Sequence, residues 1–271
     1  MKTSDFASLM LAGLVSGAPA SADELISLRT RPEVTQSMLL WEPHSRTPDT
    51  VVLLIPGSGG NIGLGLKDGH AEAEKPHLFS SARSAISRPQ LAVVVVDAPS
   101  DQKDMDQAFR MSAKHSTDMA AVAHEIRNRF PNARLVIMGH SRGTISAGYV
   151  ARALGDQVSA VVLFSGVYAA TQPSPQIRAP GPGLSELDLG SLKSPVLIVH
   201  HAKDACPVAP FPPAQQLSAK LPMITVNGND ETSAGSPCGP GSNHLFMGLE
   251  KAVGEEVLKW LVGTEWQRTV P

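Results

Sequence analysis

Cysteine is nearly missing from this chain: its 271 residues include two, Cys206 and Cys238. Two thiolates cannot complete a structural zinc site alone. An even count in an exported protein suits one disulfide instead. Aromatic residues make up 4% of the chain, too few for a platform that stacks bases or sugars. Charge of one sign is missing too. Lys and Arg total 23 against 25 Asp and Glu, a formal net charge of −2, so no electrostatic footprint for nucleic acid is present. No apolar run comfortably spans a bilayer, which excludes stable membrane insertion. What remains is an ordinary apolar content in a chain long enough to bury a sizeable core.

The first residues read as a signal peptide. Lys2 gives a weak positive start, Phe6 to Val15 is apolar, and Ala20-Ser21-Ala22 fits a small-residue cleavage site. Ala18-Pro19-Ala20 is a second place to cut. The expectation is a signal peptide over residues 1–22 and a mature chain from Asp23, exported to the periplasm or the medium.

The remainder alternates. Leu25–Arg29 and Gln36–Trp41 suit short strands separated by Arg31-Pro32. Val51–Ile55, Leu91–Val96, Leu135–Met138, Val158–Phe164 and Pro195–His200 are continuous β-branched or leucine-rich runs, as strands buried on both faces should be. Met223–Val226 reads as the last strand. Helical spacing marks Thr117–Phe130, Thr144–Leu154, Ala214–Lys220 and a C-terminal helix carrying Phe246, Leu249, Val253, Val257 and Trp260. Such alternation predicts one α/β domain over residues 23–271, a mostly parallel sheet with helices on both faces and no large cap. Ala169–Ser194 breaks the pattern. It is rich in Pro, Gly and Ser and reads as an ordered loop over or beside the site, with at most a turn near Ser185–Leu189.

In an open parallel sheet, ligands bind beyond the carboxyl ends of the strands. After Leu135–Met138 comes Gly139-His140-Ser141-Arg142-Gly143, a G-x-S-x-G sequence between a buried strand and a helix. Five residues of this kind arise by chance, so the context matters. A serine hydroxyl needs a base, and the base needs an orienting carboxylate. Asp204 follows the strand ending at His200, and His244 precedes the C-terminal helix.

With its GHSRG elbow, its "HHAKDACP" and "GSNHLF" loops and the chain order Ser, Asp, His, the sequence resembles the α/β-hydrolase superfamily, and the exported serine esterases within it. The resemblance implies Ser141 as nucleophile, Asp204 as acid and His244 as base. It implies an oxyanion hole from the amide of Arg142 and one from the "IPGSGG" loop, either Ser58 or Gly59. Cys206 lies two residues after Asp204 and Cys238 six before His244, so a bridge between them ties the acid loop to the base loop. Dienelactone hydrolases use a cysteine nucleophile and match poorly. Cutinase-like polyester hydrolases share an exported triad and a disulfide, but few aromatics are here to line a polymer groove.

Other groups compete for roles. His140 sits in the elbow and reads as a packing or polar contact. His200 and His201 are adjacent on a strand and face opposite ways, a poor pair for one metal ion. His115 and His124 lie on or beside a helix and read as solvated. Asp97 precedes the nucleophile and reads as a structural turn or pocket contact; Asp188 lies in the proline-rich loop. Arg142 suits either solvent or a substrate carboxylate. The expected activity is hydrolysis of short, soluble carboxylic esters through an acyl-enzyme, with no cofactor and no metal. An amidase or small peptidase on the same triad is the alternative within the enzymes. A non-catalytic binding protein of the same fold is the alternative outside them.

Overall fold

The computed structural model describes residues 23–271 except 42–44, 46, 87, 176, 178 and 229–234. The expected signal peptide lies outside the described residues. In chain order the strands and helices are β1 (Glu24–Arg31), β2 (Val34–Trp41), β3 (Thr50–Ile55), β4 (Leu64–Lys67), β5 (His70–Ala73), α1 (Leu78–Ser81), α2 (Arg83–Ile86), β6 (Leu91–Val96) and α3 (Gln107–Met111). Then come α4 (Ala113–Arg129), β7 (Arg134–His140), α5 (Gly143–Leu154), β8 (Ala160–Phe164), β9 (Val196–His201), α6 (Phe211–Leu217), β10 (Met223–Val226), α7 (Glu250–Leu261) and β11 (Thr269–Val270).

Nine strands form one sheet in the order β1-β2-β6-β3-β7-β8-β9-β10-β11. The β1–β2 and β2–β6 pairs are antiparallel; every later pair is parallel. All six residues of β3 are buried, because helices cover both faces. Side chains alternate across a strand, and β3 feeds two cores in turn. Val51, Leu53 and Ile55 meet Met119, Val122 and Ile126 of α4 and Ile145 and Val150 of α5. Val52 and Leu54 meet Phe79 of α1, Ile86 of α2 and Val253 and Val257 of α7.

Several elements differ from the sequence expectation. The long helix begins at Ala113, four residues early, because the Ser112 side chain accepts from the His115 amide and caps it. That shift carries His115 inward. It is 1% exposed, against Phe109 at 5.5 Å between rings, and not solvated as expected. The sixth helix begins at Phe211 and ends at Leu217, because Pro212 and Pro213 fit its first turn. β4 and β5 were not foreseen; they form a hairpin through Asp68 and Gly69, both at positive φ. Met223–Val226 is not the last strand. Thr269–Val270 pairs parallel to it, in a run too short for periodicity to reveal.

Described residues of the 169–194 segment pack beside α5 and α3. Leu184 and Leu187 lie so close over Gly148 that a Cβ there would sit 2.8 Å from each. The Gln107 amide of α3 donates to Thr171 Oγ1 and Ala179 O and accepts from Gly183 N.

Candidate active site

The elbow is built by close backbone approach. A Cβ on Gly139 would lie 2.5 Å from the Gly143 carbonyl, and one on Gly143 would lie 2.3 Å from the Ile55 carbonyl. Real side chains do not fit there, so the two glycines let β7 turn sharply into α5. Ser141 takes the cost: it sits at φ 53°, a left-handed conformation that non-glycine residues seldom adopt. Its amide donates to Phe164 O at 2.9 Å, which anchors the elbow to β8.

His244 lies on a single tight turn, Asn243–Leu245, ahead of α7. Its carbonyl accepts from Ser165 Oγ at 2.9 Å and from His140 Nε2 at 3.1 Å. Its Nδ1 donates to Asp204 Oδ2 at 2.8 Å, which fixes the tautomer and leaves Nε2 as the acceptor. Nε2 is buried and has no hydrogen-bond partner among the described residues. His244 and Ser141 line the same cavity, of about 260 Å³, which also takes in Ser58, Arg142, Pro207 and the Cys206–Cys238 bridge. Asp204 is held from three sides. Oδ1 accepts from Cys206 N at 2.9 Å, and Oδ2 lies 3.4 Å from His200 Nε2 as well as against His244. Burial would push this carboxyl up, but hydrogen bonds from His200 and His244 hold it well below the usual carboxylate range.

The loop after β3 faces the elbow. A Cβ on Gly57 would meet Ser141 Cβ at 2.8 Å. Among the described residues the amides of Ser58, Gly59 and Arg142 make no hydrogen bond. Ser58 lines the cavity; the Gly59 carbonyl accepts from Met105 N at 2.8 Å, with Asp104 packed against its α-carbon. Free amides beside a strained serine, at the positive end of α5, suit a developing oxyanion.

Two supporting residues escaped the sequence reading. Arg110 is fully buried, and its guanidinium donates to Ser58 O at 3.0 Å and Ser146 Oγ at 2.9 Å. It links the amide loop to the elbow helix. Burial, reinforced by Arg142 nearby, pulls its pKa down to about 9. Nothing in "AFRMSAKH" separates it from a surface arginine. His200, read only as half of a failed metal pair, stands against the carboxylate and donates to Ala209 O at 3.0 Å. His201 bonds instead to Gly228 O at 2.7 Å. Among the described residues no group of three or more metal-binding side chains converges. No described helix is long and apolar enough to cross a membrane.

The rival residues have other partners. His140 is buried, donates to the His244 carbonyl, and lies tilted against that ring with centroids 4.8 Å apart. Burial and the neighbouring His244 lower its pKa to about 3, so it is neutral. Asp97 accepts from the amides of Ile62, Leu64 and Ala98 and braces the chain beyond the amide loop. Asp188 caps a short turn through Gly190 N. His124 is exposed on α4. Cys206 and Cys238 are joined, and on the chain-entropy model a loop of 32 residues gives about 3–4 kcal/mol of stability.

A family model described as cutinase matches residues 67–188. That span is a little under half of the chain; it includes Ser141 and stops before Asp204 and His244. No curated protein matches the chain in sequence. Solved structures match over most of its length. An α/β serine hydrolase without lid from Xanthomonas campestris has a TM-score of 0.56 at 15% identity, covering 89% of this chain and 96% of that one. Est1E from Butyrivibrio proteoclasticus has a TM-score of 0.59 at 16% identity, over 89% and 100%. A dienelactone hydrolase from Anabaena variabilis has a TM-score of 0.57 at 16% identity, over 90% and 98%; the elbow residue here is a serine. In the order and direction of its strands, its helices on both faces and these likenesses over nine-tenths of its length, the chain has the fold of the α/β hydrolases.

Proposed function

We propose that the protein is a serine hydrolase of carboxylic esters. Ser141 attacks the ester carbonyl, and His244 Nε2 takes the hydroxyl proton and returns it to the leaving alcohol. Asp204 holds His244 in the tautomer that leaves Nε2 free and stabilises the imidazolium. The amides of Arg142 and Ser58 receive the oxyanion; Gly59 is the other loop candidate. Water then attacks the acyl-enzyme by the same route, and no cofactor enters. The observation that carries this reading is the pairing of His244 with Asp204 at 2.8 Å, while the Nε2 of the same ring, buried and without a partner among the described residues, belongs to a histidine that lines one cavity with the strained Ser141.

The cavity is small, and none of its lining comes from residues 169–194. Those residues are anchored to α3 and α5 and offer no amphipathic helix to lift, and the Xanthomonas neighbour is described as lidless. Both points support short, soluble esters and hyperbolic kinetics with no jump at the solubility limit. The disulfide supports export to an oxidising compartment. A fluorophosphonate probe should label Ser141 in the mature protein. A panel of p-nitrophenyl esters of graded length, run beside amide analogues, should show turnover greatest for short esters. Unlabelled, correctly folded protein would return the chain to the binding proteins of this fold, and faster cleavage of amides would make it an amidase.

A further inference from the structure

Arg142 and Arg110 are both arginines near the nucleophile, but their surroundings differ. Arg110 spends its donors on Ser58 O and Ser146 Oγ. Arg142 does not. It follows Ser141 directly, opens α5, and sends its side chain along the cavity wall shared with Ser141 and His244. The side chain is 19% exposed, and Nη1 is shielded from solvent with no hydrogen-bond partner. The nearest carboxylate, Asp104 Oδ1, is 4.0 Å away, beyond hydrogen bonding, and that side chain is 69% exposed. Burial lowers the Arg142 pKa against the opposing pull of Asp104 and Asp106, and its one ion-pair partner among the described residues, Asp104, is long-range and screened by solvent.

Among the described residues the rest of the cavity offers no counter-charge: no acidic residue is in its lining, and His140 there is neutral. The N-terminal end of α5 adds positive potential. Among the described residues the lining holds a single arginine, with one enclosed donor that makes no hydrogen bond, and no acid; such a lining suits a planar anion, since a guanidinium fork matches a carboxylate.

We infer that the ester substrate carries a second, anionic group, a carboxylate held by Arg142, so that the protein prefers half-esters of dicarboxylic acids to neutral esters. The inference rests on the reading of this site as an ester hydrolase. At about 260 Å³ the cavity lies below the usual range for small-molecule sites, so the carboxylate stands only a few bonds from the ester, as in succinate or glutarate half-esters. For monomethyl glutarate the acyl carbon–oxygen bond breaks. Water supplies the new acid oxygen, and the products are glutarate dianion, methanol and one proton.

The test separates binding from chemistry. Calorimetry on the Ser141→Ala protein compares monomethyl glutarate with dimethyl glutarate. The monoanion should bind on the order of 10- to 100-fold more tightly, as for a charge-assisted hydrogen bond gained. Adding Arg142→Gln should erase the preference, and Arg142→Lys should keep part of it, which distinguishes lost charge from lost fold. In the enzyme with Ser141 intact, the ratio of kcat/KM for the two esters should fall at least tenfold with Arg142→Gln. A ratio is used because the Arg142 amide itself serves the oxyanion. The preference should also weaken as salt rises. Equal binding of both esters, or a preference that survives Arg142→Gln, overturns the inference. Fluorophosphonate labelling of Ser141 is scored separately: labelled protein without an anion preference sinks Arg142's role alone, whereas unlabelled protein sinks the hydrolase reading.

Discussion

Two hollows lie at opposite ends of the same parallel strands. The larger, about 650 Å³, sits at the amino ends of β3, β6 and β7, between Thr50, Leu91 and Arg134 and the last turn of α7. The smaller, about 260 Å³, sits at the carboxyl ends. Size favours the first, chemistry the second. At the amino ends Arg88, Arg134 and Lys259 stand with Asp49 and Glu255, beside the C-terminal end of a helix where cations are favoured. At the carboxyl ends the helix presents its N-terminus, and among the described residues three amides make no hydrogen bond and the only charged side chain in the lining is an arginine. In a parallel sheet every strand-to-helix turn falls at the same end, so unpaired donors accumulate there and volume is a poor guide to function.

The sharpest way to break this contrast is Ser141→Ala. It should lower kcat by roughly 10⁴ to 10⁶ while leaving the urea midpoint unchanged. Retention of a tenth of the turnover would move the chemistry elsewhere. Next comes the choice of carboxylate. Asp204→Asn should cost about 10⁴ in kcat. Asp97→Asn should cost far less activity but about 1–3 kcal/mol of stability, because it unsettles three amide contacts; the reverse ranking would exchange their roles.

Arg110→Met tests whether the carboxyl end depends on a residue outside the cavity lining. It should lower kcat on the order of tenfold, with KM nearly unchanged, since a misplaced Ser58 amide fails only when the oxyanion forms. Arg110→Lys should recover part of the loss. A rise in KM with steady kcat would make Arg110 a support for substrate binding instead.

Stability should follow the buried histidines. His115 and His140 have folded pKa values of about 3, lowered by burial. They stabilise the fold fully above the unfolded value near 6.5, and that contribution is lost as pH falls towards the folded values. At pH 5 each should have withdrawn about 2 kcal/mol relative to pH 7.5. Urea midpoints measured between these pH values, with His140→Phe as control, check the slope; a flat profile would mean these rings find partners when charged. The smallest effect belongs to the amino-end hollow. Arg134→Ala or Lys259→Ala should leave kcat/KM within about twofold, and a larger loss would give that hollow a function.

The buried strands and the serine elbow were legible because each is a local pattern: a β-branched run, then glycines at two fixed positions. The order of Asp204 and His244 along the chain was legible only through resemblance, since nothing local ties residues 40 apart. The Asp68-Gly69 hairpin carried a strong turn signal, but its strands are four residues each and their alternation, Leu64 with Leu66 and Ala71 with Ala73, is too short and weakly apolar to draw attention. His115 and Arg110 were illegible for a tertiary reason. His115 read as a solvated position on or beside a helix and Arg110 drew no reading, and both are buried through the packing of α3 and α4 against α5 and the amide loop.

The clamping of His244 has a consequence for where protons travel. The ring is tied through Nδ1 to Asp204, and its own carbonyl is tied to Ser165 and His140. Such a ring has no second orientation to visit. Under the proposed mechanism, a proton collected at Nε2 cannot be carried off by rotation and shed to bulk water through another edge. It waits a bond's length from the place where it was taken, and the group that next arrives there receives it.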